Sequence, residues 1–186
     1  MSRREFWINQ AFFQASWPAC VGGAAFGLLW PGLLVVGAFA AWQLHPRHAH
    51  PADPAALVLF VGLGAMLDTL WVRLGVVDYA LDVPAAGFAP LWLLLLWVAL
   101  ALTANHSLLL FRRRWVLFAL IATVGSPMSY TAAAGLGAVD WTAPAWIVVV
   151  CMGPVWALLT GLAFRAVDRI ASRWHGERNT LQAIRG

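Results

Sequence analysis

The chain has 186 residues, of which 62% are hydrophobic and 11% charged, and its mean hydropathy is +0.75. A domain that wets its surface carries roughly 25% charged residues, so the composition excludes a globule in water. The net charge of +4 does not point to nucleic acid, because the basic residues stand at the ends of apolar runs and not on one continuous face.

A helix needs about 20 apolar residues to cross hydrocarbon, and strand-like alternation is absent. The expected fold class is therefore all-α: a polytopic membrane helix bundle, a single domain with six transmembrane helices and both termini cytoplasmic. The first span is expected over 7–26. Ser2-Arg3-Arg4 ahead of it resembles the start of a secretory signal. Asn9, Gln10 and Gln14 interrupt the apolar core, however, and Trp17-Pro18-Ala19-Cys20 is a poor lipoprotein cleavage sequence, so the segment reads as a retained span. The second span, 29–44, is short, with Trp30-Pro31-Gly32 read as a tight turn at its start. A third follows over 54–76 and a fourth over 88–111. The fifth, 115–137, carries Pro127, which removes a backbone donor and is expected to bend or open the helix. The sixth, 143–164, carries Pro154, and 165–186 reads as a cytoplasmic tail whose helix continues to Trp174.

Six spans put Arg3, Arg4, Arg47, Arg112 to Arg114 and the arginines from Arg165 to Arg185 on one side. Only Arg73 is left on the other, near Asp78 and Asp82. That asymmetry marks the first side as cytoplasmic, whereas an odd number of spans scatters arginines over both. Trp7, Trp30, Trp42, Trp92, Trp115 and Trp141 fall near the proposed ends, as interfacial anchors do, while Trp17, Trp71, Trp97 and Trp156 lie deeper. Leu63-Gly64-Ala65 and Leu136-Gly137-Ala138 look alike, but their contexts differ and no internal repeat is read from them.

Polar residues inside spans are the informative ones, since a carboxylate at a helix centre costs about 2.5–3.5 kcal/mol on insertion scales. Asp68 is the one acidic residue well inside a span. Gly64 and Ala65 on the same side permit close helix approach, and Arg73 is a candidate partner. Thr103-Ala104-Asn105-His106-Ser107 is placed in the inner part of the fourth span, where His106 can act as a base or proton relay or simply bond a neighbouring helix. Ser126, Ser129 and Tyr130 share one face around Pro127, and Gln10 and Gln14 share a face of the first span beside Asn9. A polar pocket in the cytoplasmic half is the resulting expectation, drawn from Asn9, Gln14, Asp68, Asn105, His106, Ser107, Ser129 and Tyr130. Interhelical hydrogen bonding without a ligand is the plainer account of the same residues. His45, His48 and His50 have a spacing that can bind zinc or nickel, but a proline-flanked loop of this kind is ordinarily solvated. Cys20 and Cys151 have no metal-ligand spacing and imply no disulfide. Nucleophile-elbow, phosphate-loop, paired-cysteine and His-Glu-x-x-His patterns are absent.

Several blocks carry a resemblance: Asn9 with Gln14-Ala15-Ser16-Trp17, then Asp68-Thr69-Leu70-Trp71. Pro90-Leu91-Trp92 through Asn105-His106-Ser107-Leu108 forms a third, and Gly125-Ser126-Pro127-Met128-Ser129-Tyr130 with Gly135 a fourth. Together they resemble the bacterial membrane family catalogued as domain of unknown function 2878, over Trp7 to Val167. Asn-His-Ser followed by Ser-Pro-x-Ser-Tyr is the specific part. Ser126 departs from the glycine expected in relatives, which argues against a role for its hydroxyl. The resemblance implies a small bacterial inner-membrane protein and carries over no activity, cofactor or substrate. Relatives are encoded near enzymes that modify membrane fatty acids, an association that tilts the reading toward lipid-related work.

Three functions are expected in descending order. The first is binding or translocation of a lipid or small amphiphile in a cytoplasm-facing pocket containing His106, Asn105, Gln14 and Tyr130. The second is a non-catalytic membrane-complex subunit. The third is a membrane enzyme of fatty-acid or lipid modification, with His106 as base and Asn105 orienting it. No cofactor, metal site or nucleic-acid partner is expected.

Overall fold

Ser2 starts the first helix. Its hydroxyl accepts the Glu5 amide at 3.2 Å and the Glu5 carboxylate accepts the Ser2 amide at 2.7 Å, a reciprocal capping box that satisfies two donors left open at a helix start. Helix α1 (Arg3–Trp17) therefore begins ahead of the apolar run, then passes through a π turn (Pro18–Gly22) into the short α2 (Gly23–Ala25). Pro18 cannot donate to the preceding turn, and the wider π spacing absorbs that missing bond. Gly27, at φ +69°, turns the chain, and α3 (Trp30–Gln43) takes Trp30-Pro31-Gly32 as its first helical residues. The tight turn expected at those three residues lies upstream instead. Proline fits the first turn of a helix, where its N–H would have no partner, and glycine supplies the left-handed residue.

The order continues with α4 (Asp53–Arg73), β1 (Val77–Tyr79), α5 (Leu91–Ala104), α6 (Leu109–Arg113), α7 (Trp115–Gly135), β2 (Val139–Trp141) and α8 (Ala145–Arg185). This computed structural model describes residues 1–185, with side chains described except at 112–113, 147–149 and 174–185. The side chains of Arg112, Arg113, Arg178 and Arg185, which counted toward orientation, lie outside the described residues. Three helical segments are long and apolar enough to cross a membrane, Asp53–Arg73, Trp115–Gly135 and Val150–Arg173, and Leu91–Ala104 is apolar but shorter. The expected fourth span, 88–111, is cut short at both ends. Asn105 to Leu108 form a turn in which the Thr103 carbonyl accepts the amides of His106 at 2.9 Å and Leu108 at 3.0 Å. Short polar side chains such as Asn105 and Ser107 offer bonds that compete with continued helix. The tail after 164 is not a separate element, since α8 runs through it to Arg185.

Burial is inverted relative to a protein in water. Val58, Met66, Leu120, Val124, Met128 and Leu158 are exposed on the flanks of α4, α7 and α8, while Asn9, Asp68, Thr103 and Thr160 are fully buried. Such an exterior matches hydrocarbon and leaves polar groups only the interior in which to find partners. Phe60, Phe118 and Phe164, with ring centroids 4.9 and 4.5 Å apart along the chain of contacts, join α4, α7 and α8. Pro127 lies inside α7 without interrupting it. The Thr123 carbonyl, which Pro127 cannot satisfy, faces Gly153 of α8, where a Cβ would come within 2.6 Å of that oxygen. Gly153, Ala157 and Gly161 thus form a small-residue stripe that lets α8 lie close against α7.

The two strands were not expected from the sequence pattern. They pair antiparallel with Val77 opposite Trp141, Asp78 opposite Asp140 and Tyr79 opposite Val139, joining the connection after α4 to the connection after α7. Each strand follows the same helix ending. Val76 donates to Trp71 and Gly75 to Val72 after α4, and Ala138 donates to Ala133 and Gly137 to Ala134 after α7. With Gly75 at φ +62° and Gly137 at φ +81°, both are Schellman caps. The matching continues backward, for α4 and α7 both have 21 residues and Asp53 and Trp115, Arg73 and Gly135, and Val77 and Val139 correspond in turn. The likeness is thus between Leu74-Gly75 and Leu136-Gly137 with the strands that follow, and Leu63-Gly64-Ala65 has no part in it.

Candidate functional site

At the end of the bundle away from the strands, α1, α3, α4 and the turn after α5 close around a buried polar network. Asp53 sits in the first turn of α4, where the helix dipole favours a carboxylate, and it accepts the His50 amide at 2.7 Å. It also takes Asn105 Nδ2 at 2.9 Å and His106 Nε2 at 3.0 Å. Two backbone carbonyls fix the direction of the remaining bonds. Leu102 O accepts Asn9 Nδ2 at 3.0 Å, so Asn9 Oδ1 is the atom that accepts the Ser107 hydroxyl. Asn9 Nδ2 also donates to Gln43 Oε1 at 2.6 Å. Gln43 Nε2 must then be a donor, to His48 O at 3.2 Å and to the imidazole, whose Nδ1 lies at 3.3 Å. Its 3.1 Å approach to His106 Nε2 sets two N–H groups together if that nitrogen donates to Asp53, so the bond goes to Nδ1. His106 thus ties the turn after α5 to α3 and α4 through Gln43 and Asp53.

The second polar cluster lies toward the strands. Asp68 is fully buried, with Trp97 Nε1 donating to Oδ2 at 2.7 Å and the hydroxyls of Tyr130 and Tyr79 donating to Oδ1, the latter at 3.4 Å. Trp97 Nε1 can only donate and both phenols are placed to donate, a set that suits an anionic carboxylate. Arg73 is not its partner. Five residues along a helix is a rotation of about 140°, and the Arg73 guanidinium instead lies over the Phe88 ring at 4.8 Å. Among the described residues no basic group forms an ion pair with Asp68. Gly64, one turn earlier, makes room for Trp97, since a Cβ there would come within 2.3 Å of the indole. Asp68 and Tyr130 stand at the same distance from the starts of α4 and α7, and they bond each other.

Between α1, α5, α7 and α8 lies a crevice of about 460 Å³. Phe13 and Trp17 of α1, Trp97 and Leu100 of α5, Trp156 of α8, and Phe118, Ala122 and Ser126 of α7 line it. The Trp97 and Trp156 rings lie 5.0 Å apart. Gln14, Ile121 and Gly125 line it and are exposed in mid-helix, so the mouth is on the side of the bundle. Trp17 Nε1 donates to Ser129 Oγ at 2.8 Å, bridging α1 to α7 across one end. Tyr130 and Trp97 line the crevice with their rings and donate from their polar ends to Asp68 behind them.

The eight residues expected to share one pocket thus divide between places. Asn9, Asn105, His106 and Ser107 belong to the end network, whereas Gln14, Ser129 and Tyr130 line the crevice and Asp68 lies behind it. The physical reason is depth: Tyr130 lies in the second half of α7, toward the strands, and His106 lies at the opposite end of the bundle. Ser126 donates to the Ala122 carbonyl of its own helix. The reading from sequence missed Asp53 and Gln43, although Gln43 is the only amide in the second apolar run and Asp53 immediately precedes Pro54. The loop imidazoles turn to separate partners. His48 Nδ1 meets the Trp42 carbonyl at 2.9 Å, and His45 and His50 Nδ1 accept the amides of Arg47 at 3.3 Å and Ala52 at 3.1 Å.

The arrangement defines a helical bundle with three segments able to cross a membrane, a side-opening aromatic crevice and a buried carboxylate behind it. Within that class the chain belongs to the family described as Protein of unknown function (DUF2878), which matches residues 6–162. No curated protein and no solved structure matches the chain.

Proposed function

We propose that this protein is a six-span bacterial inner-membrane protein, with both termini cytoplasmic, that binds or translocates a lipid or small amphiphile through the crevice between α1 and α7. The crevice carries this reading. Its size falls within the roughly 300–1,000 Å³ of small-molecule sites, and such sites are mostly apolar with a few placed polar groups. Here those groups are Gln14, Ser129 and Tyr130 against a lining of tryptophan, phenylalanine and leucine. The mouth lies in mid-helix, at the depth where acyl chains run past a spanning helix. Antiparallel succession supports the six-span topology, because the end network joins the starts of α1 and α4 to the ends of α3 and α5. His106 does not line the crevice and is bonded to Asp53 and Gln43, which favours carriage over catalysis by that residue.

Gly125 supplies the test. A Cβ there meets nothing within 4 Å, so Gly125→Phe puts a ring across the mouth without backbone conflict. Purified protein in neutral detergent is titrated with a brominated fatty alcohol, which quenches nearby indoles. Wild type is expected to show saturable quenching from Trp17, Trp97 and Trp156, and Gly125→Phe to lose it while melting at or above the wild-type temperature. Quenching without saturation in wild type, or saturation unchanged by Gly125→Phe, would overturn the proposal.

A further inference from the structure

We infer that the crevice prefers amphiphiles with a cationic headgroup, Asp68 serving as the counter-charge and Tyr130 and Trp97 as the wall through which the headgroup meets it. The inference rests on the amphiphile-binding reading and adds the chemistry of the ligand. Asp68 is fully buried, its three donors suit an anion, and no basic residue among those described pairs with it. Hydrogen bonds from neutral donors disperse such a charge without cancelling it, and in a low-dielectric interior its field reaches well beyond the first contact. Tyr130 and Trp97, which donate to Asp68, also line the crevice, so the space they border is where a compensating cation would sit. The lining adds a second attraction. Trp17, Trp97, Trp156 and Tyr130 line the crevice, and aromatic faces bind alkylated ammonium groups through their quadrupoles. A carboxylate headgroup would meet repulsion at the same place.

Equilibrium dialysis against radiolabelled decyltrimethylammonium, decanol and decanoate, with the full chain in neutral detergent, separates the possibilities. Wild type is expected to bind the cation about tenfold or more tightly than decanol, and decanoate more weakly than either. Asp68→Asn is expected to bring the cation down to the level of decanol measured on the same variant. Should Asp68→Asn fail to fold, the wild-type protein still decides by difference infrared spectroscopy, in which the cation shifts a carboxylate band and decanol does not. Equal affinity for cation and decanol in wild type sinks this inference and leaves the crevice reading standing. Failure of all three probes to bind sinks the crevice reading itself.

Discussion

Gly64 tests the packing that holds the buried carboxylate. Adding a methyl there places a Cβ 2.3 Å from Trp97 Cγ and Cδ1 and 2.4 Å from Cδ2, where carbon atoms normally rest about 3.5–4.0 Å apart. The indole must withdraw by more than about 1 Å. Its Nε1 sits 2.7 Å from Asp68 Oδ2, so an outward shift of that size takes the bond beyond the useful range. Overpacking of a tight interface costs about 1–3 kcal/mol and loss of a hydrogen bond to a charged group about 1.5–3 kcal/mol. Gly64→Ala should therefore destabilise by about 3–5 kcal/mol against a helix-propensity gain of about 1 kcal/mol. The assay is reversible unfolding in mixed micelles for wild type, Gly64→Ala, Trp97→Ala and the double variant. With the ring gone, the added methyl has nothing to strike, so Gly64→Ala in the Trp97→Ala background should be neutral or mildly stabilising. The coupling is then about 3 kcal/mol or more, at the upper end for residues in contact. An equal cost of Gly64→Ala in both backgrounds would refute the reasoning, because it would mean that the glycine serves something other than the indole.

Two further predictions concern the end network and the topology. His106→Ala leaves Asp53 buried with one partner fewer, and should cost about 3 kcal/mol or more, read as a lower melting temperature and lower membrane abundance, with crevice binding intact in the folded fraction. Normal stability together with lost amphiphile binding would instead assign His106 to a site. For the six-span topology, single cysteines at Asp78 and Asp140 in a Cys20→Ser, Cys151→Ser background should react with an impermeant maleimide in intact cells, and those at Arg47 and Arg114 only after lysis. Labelling of Arg47→Cys in intact cells would reverse or break the proposed orientation.

The helical character was legible because hydrocarbon demands long apolar runs, and the positions of α4, α7 and the start of α8 follow those runs closely. Boundaries were less legible wherever local side-chain bonding decided them. Ser2 and Glu5 start α1 early through a capping box, and Asn105 and Ser107 exchange helix continuation for lateral bonds to Asp53 and Asn9. The polar residues were recognisable individually, since a polar group among apolar neighbours must find a partner, but which partner depends on helix pairing. Asp68 illustrates this. Arg73 is close in sequence and points elsewhere, while Trp97 and Tyr130, distant in sequence, enclose it.

α4 and α7 show why the pairing of Asp68 with Tyr130 lay beyond motif reading. The two helices share a length, a Schellman ending and a following strand, Val77-Asp78-Tyr79 after one and Val139-Asp140-Trp141 after the other, where backbone geometry constrains residue choice. Counted from the helix starts, Asp68 and Tyr130 stand at the same place. Two aspartates facing each other there would repel without water to screen them, and two tyrosines would leave no carboxylate. A carboxylate on one helix and a phenol on the other make a donor–acceptor pair beside an aromatic opening. Both residues stand out in the sequence one at a time, but their contact follows only from where the fold sets the two helices.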